Sequence, residues 1–317
     1  MPDDPLHQPN DKLFKQGFKD PETAAGFLNA YLPETVAAAV DWSQLALQPG
    51  SFVDSQFRNH ESDLLFSAPL SGREAMFYFL FEHQSQEDPA IALRLLRYMV
   101  RIWEERLVSD PKNPLPIILP VVLAQNDRAW HIKPEFSAMF DLPADLMDDL
   151  RPFLPDFMFR LVQLAAIPFD AICGTPAGIM VMRVMKAERS HQLLADPVWD
   201  EEILRQVPQA IFEMLLRFIV NADIDTAEVE RRVTSIQSDK LRNSAMTYAQ
   251  KLHQEGRQEG RTVTLQENVI DALEIRFQRV PEGLREEINH VTDPARLQSL
   301  LRTAIQAISL EEFSSNL

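Results

Sequence analysis

Asp63, Glu82 and Gln84 are the residues whose types and spacing suit hydrolytic chemistry. Asp63 stands at the head of one β-like run, SDLLFSAPL, and Glu82 and Gln84 end a second, AMFYFLFEHQ. Ser71-Gly72-Arg73-Glu74 joins the two runs. Glycine at the first central position suits a two-residue type II′ turn on Gly72 and Arg73. That turn pairs Ser71 with Glu74 and, counted outward along an unbroken ladder, Asp63 with Glu82. Directly opposed residues hold their Cβ atoms about 5 Å apart, provided no bulge changes the register. Gln84 follows Glu82 by two residues and shares its face, whereas His83 turns away. Two carboxylates on adjacent strands can hold a cation such as Mg2+, which keeps several waters and takes phosphate oxygens from a substrate. Such a cation polarises a phosphodiester and lowers the pKa of an attacking water. An Asp and a Glu on a hairpin can equally be a solvated face, so spacing alone leaves both readings open.

Helices and strands on either side must position this set. Residues 10–40 read as helical, because Leu13, Phe14, Phe18, Phe27, Leu28 and Leu32 recur at spacings near three and four. Asp20-Pro21-Glu22 marks a helix start with Asp20 as its cap. LALQPGSF is a candidate short strand with a Pro-Gly turn. Phe77, Phe79 and Phe81 share the face opposite Glu82, a surface for helices to cover. Residues 90–107 form a periodic helix with Leu93, Leu96, Val100, Trp103 and Leu107 on one face, and PIILPVVLA follows as a buried strand. Strand, helix and strand in that order read as a crossover to a parallel neighbour. FMFRLVQLAAI fits either a strand or a helix.

From about residue 175 the pattern is helical, starting at Thr175-Pro176, interrupted at Pro208, and continuing into a long polar segment. That segment repeats Gln254-Glu-Gly-Arg as Gln258-Glu-Gly-Arg. Each glycine weakens an isolated helix by about 1 kcal/mol, so a helix there needs packing or i,i+4 charge pairs. The expected class is α/β: a mixed β-sheet flanked by helices over residues 1–200, then a mostly helical region over residues 201–317 that serves regulation or oligomerisation.

A chain of 317 residues, 45% hydrophobic, can bury a sizeable core. Its net charge of -16 counts against a protein that coats nucleic acid, yet allows an enzyme with a local basic strip. No run reaches the roughly 18–20 apolar residues of a membrane span, and MPDDPLHQPND lacks the chemistry of a secretory signal. The one cysteine, Cys173, can form no intrachain disulfide, which suits a cytoplasmic location. Its setting, FDAICG, suggests a buried thiol.

Several uncommon words occur in order: Asp11-Lys-Leu-Phe-Lys, Asp20-Pro-Glu, Tyr31-Leu-Pro, Asp41-Trp-Ser-Gln-Leu, Ser62-Asp-Leu-Leu, Phe81-Glu-His-Gln-Ser and Arg94-Leu-Leu-Arg-Tyr. Over most of residues 10–130 the chain thereby resembles the recombination-promoting nuclease family, also described as YhgA-like transposases. The resemblance implies a restriction-endonuclease-like domain of the PD-(D/E)XK superfamily, hydrolysing DNA with Mg2+ or another divalent cation. It implies Asp63 and Glu82 as metal ligands, with the backbone carbonyl of His83 as a third. Gln84 occupies the place of the superfamily's usual lysine. Glutamine is no cationic proton donor, so its expected role is to orient water or phosphate.

Two places depart from the family pattern, and no role is carried over to them. Asn10 stands where a histidine often precedes the Asp, and Ala124-Gln125-Asn126 stands where a Tyr-His-Gly-like stretch is common. Glu22 is either a further carboxylate or a helix-start charge. Arg94, Arg97 and Arg101 either face phosphate or line a salt-bridged helix surface. The expected partners are DNA and a second copy of the chain through its helical C-terminal region, with no membrane. The alternatives are a non-catalytic DNA-binding or assembly protein that retains a nuclease fold, and a transposase-related protein.

Overall fold

The computed structural model describes residues 9–48, 64–82 and 87–317. Two compact units divide the chain, residues 1–245 and 246–317.

The first unit opens with helices α1 (Pro9–Phe18), α2 (Pro21–Tyr31) and α3 (Glu34–Ala37). Asp20 caps α2 as its sequence suggests: its carboxylate accepts from the Thr23 N–H at 3.0 Å, and Pro21 takes the first turn. Strands β1 (Ala46–Leu47), β2 (Leu64–Leu70) and β3 (Arg73–Glu82) form an antiparallel meander. Helix α4 (Ile91–Ser109) then leads to β4 (Ile117–Ala124), which lies parallel to β3. After α5 (Ala144–Leu150), β5 (Arg160–Gln163) adds parallel to β4 and completes a five-stranded sheet in sequence order. The protein is thus mixed α/β, with the expected parallel step after α4.

Strand alternation divides the core. Phe66 pairs with Phe77 and Leu64 with Phe79, all four buried, and Phe77 meets the Trp42 ring. Phe79 stacks on Phe27 with ring centroids 4.6 Å apart and meets Phe14 edge-on at 4.8 Å. The side chain of Phe81 lies outside the described residues. On the other face Leu65, Met76, Ile118, Val122 and Ala124 pack against α4. The buried stripe of α4 is Ile91, Ala92, Leu95, Tyr98, Met99 and Ile102, not the stripe read from sequence. Leu93, Val100 and Leu107 are exposed, while Leu96 and Trp103 sit at the margin of the core. Apolar residues surround most of this helix, and the small Ala92 and the amphipathic Tyr98 complete the true face.

The hairpin also differs from expectation. Leu70 pairs with Arg73, so the turn falls on Ser71 and Gly72. Both have positive φ, 49° and 79°, the pattern of a type I′ turn. A neighbouring segment fixes it there: Ser71 N–H donates to the Ala39 carbonyl and Asp41 N–H to the Pro69 carbonyl, each at 2.9 Å. From Leu70↔Arg73 to Leu64↔Phe79 the pairing is therefore two residues out from the one read from sequence. Asp63 lies outside the described residues, and so does its expected opposition to Glu82.

Helix α6 (Pro176–Arg189) starts at Thr175, whose Oγ1 accepts from the Gly178 N–H. It packs closely on α1, where a Cβ at Gly17 would come within 2.8 Å of Val181. Cys173 is exposed, contrary to the expectation from its apolar setting, because the extended chain buries its neighbour Ile172 instead. Helices α7 (Glu201–Leu204), α8 (Gln209–Val220) and α9 (Thr226–Thr234) follow, with the predicted break before Pro208.

Helix α10 (Asp239–Phe277) is unbroken, and both Gln-Glu-Gly-Arg repeats lie in its part of the second unit. There Val269 and Leu273 form a core with α11 (Glu282–His290), α12 (Pro294–Gln306) and α13 (Leu310–Ser314). Gln266 caps the end of α11, its Nε2 donating to the Asn289 and Val291 carbonyls at 2.9 Å each. No described helix is long and apolar enough to cross a membrane.

Candidate active site at the ends of β3 and β4

Of the predicted set, the backbone of Glu82 is described: it is the last residue of β3 and pairs with Ala124, the last residue of β4. Ala124 pairs in turn with Gln163, the last residue of β5. Three strands thus end in line. The side chain of Glu82, and the whole of Asp63, His83 and Gln84, lie outside the described residues. Asp63 directly precedes β2, and His83 and Gln84 directly follow β3. Among the described residues no cluster of three or more His, Cys, Asp or Glu could hold a metal ion.

Buried polar residues gather around the same strand ends. Gln125 is fully buried, and its Nε2 donates to the Met185 carbonyl at 2.6 Å and to Asn10 Oδ1 and Glu188 Oε2 at 3.2 Å each. Three acceptors around one amide nitrogen fix its orientation, since a flipped amide would set oxygen against oxygen. This links α1 and α6 to the exit of β4. Asn10 and Asp11, in the first turn of α1, are buried as well. Asn126 is 6% exposed, and neither its Nδ2 nor its Oδ1 has a hydrogen-bond partner among the described residues. Sequence reasoning passed over these residues as departures from a family pattern. The available signal was the change from the apolar run IILPVVLA to two consecutive amides.

The chain leaving β4 is pinned beside the chain leading into α4. His131 N–H donates to Glu87 Oε1, and its ring Nδ1 lies 3.1 Å from the same oxygen. Gln163 holds the backbone of Trp130, accepting from its N–H and donating to its carbonyl. Arg94 forms an ion pair with Asp88 at 3.2 Å, which supports the salt-bridged reading for that arginine. Arg101 acts on Glu105, whose carboxyl is pushed up by burial and drawn partly back by the arginine's charge. Glu22 is exposed in the first turn of α2, where its charge suits the helix start.

Lys186 donates to the carbonyls of Leu164 and Ala165, just beyond β5, and burial holds its pKa below the ordinary lysine value. These bonds commit the ammonium to the turn that follows the sheet.

Residues 8–197 match the family described as "Putative transposase, YhgA-like". Recombination-promoting nuclease RpnD of Escherichia coli O157:H7 is 27% identical, over 77% of this chain and 94% of its own length. RpnC of Escherichia coli K12, also named a recombination-promoting nuclease, is 32% identical over 54% of this chain and 55% of its own length. RpnE of the same strain, named an inactive recombination-promoting nuclease-like protein, is 25% identical over 91% of this chain and 95% of its own length. No solved structure matches the chain. With the family match extending from α1 through α6 and the strand ends they enclose, this chain belongs to the YhgA-like transposase family, alongside relatives named recombination-promoting nucleases.

Proposed function

We propose that the protein is a divalent-metal-dependent endodeoxyribonuclease of the restriction-endonuclease-like, PD-(D/E)XK kind. Asp63 and Glu82 are its proposed metal ligands, with the His83 carbonyl as a third, and Mg2+ is the proposed cation. The observation that carries the reading is the ladder. An antiparallel meander continues through one helix into a parallel strand, and Glu82 ends β3 beside the end of β4. Carried on by one residue past Leu64↔Phe79, the register would set position 63 diagonal to position 82 and on the same face. Diagonal neighbours on a sheet lie about 7–8 Å apart, within reach of long side chains, so both carboxylates could contribute to holding one cation.

The donor set fits Mg2+, since it consists of hard oxygens. When bound, the ion supplies a Lewis acid for the phosphodiester and a water of lowered pKa. The chain's own groups orient the reactants. Gln84, two residues along the same strand direction, offers a neutral amide that can donate to a phosphate oxygen or accept from water. DNA is the proposed substrate, as the names of the relatives suggest.

The test is nicking of supercoiled plasmid with Mg2+ or Mn2+. Asp63→Ala and Glu82→Ala should each abolish nicking while the circular dichroism spectrum is retained. Undiminished cleavage by both variants would remove the site assignment. The second reading, a non-catalytic DNA-binding protein, draws on Gln84 in place of lysine and on the inactive relative that aligns over most of its length. Retained DNA binding without cleavage in any divalent cation would favour it.

A further inference from the structure

Asn126 stands apart from the other buried amides at the strand ends. Gln125 faces α1 and α6 and places its donor nitrogen on three acceptors. Asn126 is 6% exposed, and both polar atoms of its side chain lack partners among the described residues. A buried polar group without a partner is destabilising, so such a group in a native fold calls for an explanation. Alternation supplies the direction. Ile118, Val122 and Ala124 share the α4 face of β4, and position 126 continues that parity. Ala124 is the ladder partner of Glu82, so position 126 lies just past the end of β4 with the parity of the proposed metal-binding face. Four residues on, Trp130 Nε1 is a second buried donor with no acceptor among the described residues. Among the described residues this segment thus has two buried donors without acceptors, Asn126 Nδ2 and Trp130 Nε1, and two buried acceptors without donors, Gln125 Oε1 and Asn126 Oδ1; a phosphate oxygen with its attendant water would meet both kinds.

We propose that Asn126 is a further substrate-binding residue of this site, its Nδ2 donating to a backbone phosphate oxygen of DNA and its Oδ1 accepting from an adjoining water. The contact rests on the nuclease reading for its location and not for its chemistry, because a neutral amide needs no cation to bind a phosphate oxygen. A neutral donor also suits a strongly acidic chain, since it adds no charge that a neighbouring carboxylate could neutralise.

The test uses Asn126→Leu, which keeps the branching without the polar atoms, and Asn126→Ala, which removes them without adding bulk. Three quantities are read: the melting temperature without DNA, the affinity for a labelled duplex in Ca2+, and kcat/KM for plasmid nicking in Mg2+. Both variants should melt at or above the wild-type temperature, because unpaired buried polar atoms have been removed. Duplex affinity and kcat/KM should each fall about tenfold, the lower end for a hydrogen bond to a charged partner. A merely structural amide gives the opposite pattern: both variants melt several degrees lower, and activity follows the folded fraction. That result, or wild-type affinity in both variants, overturns the proposal. A wild-type chain that binds DNA but never cuts it removes the nuclease reading alone, and the melting and affinity measurements then still decide the role of Asn126.

Discussion

Substituting Ser71 by Asn should stabilise the sheet-containing unit by about 1 kcal/mol. Ser71 has φ 49° and Gly72 φ 79°. A left-handed conformation costs an ordinary residue about 1–2 kcal/mol, and asparagine relieves part of that by local hydrogen bonding. The backbone bond from Ser71 N–H to the Ala39 carbonyl survives the change, since it uses no side chain. Ser71→Gly should gain less, because glycine returns about 0.5–1 kcal/mol through the freedom of the unfolded chain. Gly72→Ala should lose about 1 kcal/mol from conformation alone, since no atom lies within 4 Å of the position its Cβ would take. The assay is urea unfolding followed by far-ultraviolet circular dichroism, with midpoints compared at constant m. For a unit of this size 1 kcal/mol corresponds to about 2–4 °C in Tm. If the turn lay on Gly72 and Arg73, Ser71 would be extended, and asparagine there would be neutral or destabilising because it fits strands poorly. A loss of stability in Ser71→Asn would therefore refute the register and return Asp63 to the position opposite Glu82.

Two further perturbations probe the frame around the site. Arg183 donates to the Phe169 and Pro197 carbonyls and to Asp200 Oδ2 at 3.0 Å. Burial pushes the Asp200 carboxyl up, but hydrogen bonds from Arg183 and from the backbone of Ile203 and Glu202 outweigh it and leave its pKa below the ordinary value. The stabilisation is thus complete above the unfolded-state pKa of about 3.9 and is lost as pH falls through the lower folded-state value. Asp200→Asn keeps the cap on α7 and should cost about 1.5 kcal/mol at pH 7, discounted for partial exposure. Urea midpoints of the two proteins should converge below about pH 4, and a constant gap from pH 7 to 3 would contradict the assignment. In α10, a Cβ at Gly256 or Gly260 would meet nothing within 4 Å. Gly256→Ala with Gly260→Ala should therefore stabilise the helix by about 1 kcal/mol per site, seen as slower amide exchange, whereas faster exchange would mean that another surface closes on these glycines.

The legible parts of the fold were those where one residue type has one physical use. Asp20 before Pro21 and Thr175 before Pro176 mark helix starts because a cap oxygen and a pre-set φ are needed there together. The alternation of Phe77 and Phe79 disclosed the face that α1 and α2 cover. The stripe on α4 was misread because apolar residues surround the helix, so periodicity could not choose between overlapping faces until a sheet was set against one of them. The turn was misread because Gly72 can serve either central position, and the choice depended on Ala39 and Asp41, distant in sequence. Gln125 carried no spacing signal, because its environment is made by α1 and α6, which are distant in sequence from β4 and from each other.

These two errors bear differently on the candidate site. Moving a two-residue turn by one position shifts every pairing by two residues along the partner strand. Side chains alternate with a period of two, so the shift changes which residues are opposed and leaves their faces unchanged. Had the pairing shifted by a single residue, the carboxylates would have been assigned to opposite faces and the metal-binding proposal would have lost its basis. The shared face proposed for positions 63 and 82 is thus the same under either register, whereas their separation is not. The parallel pairing of Glu82 with Ala124 extends that parity to the end of β4, two residues before Asn126. A cation site needs oxygens that converge from several strands, and shared parity at a common strand end is the least geometry that permits it.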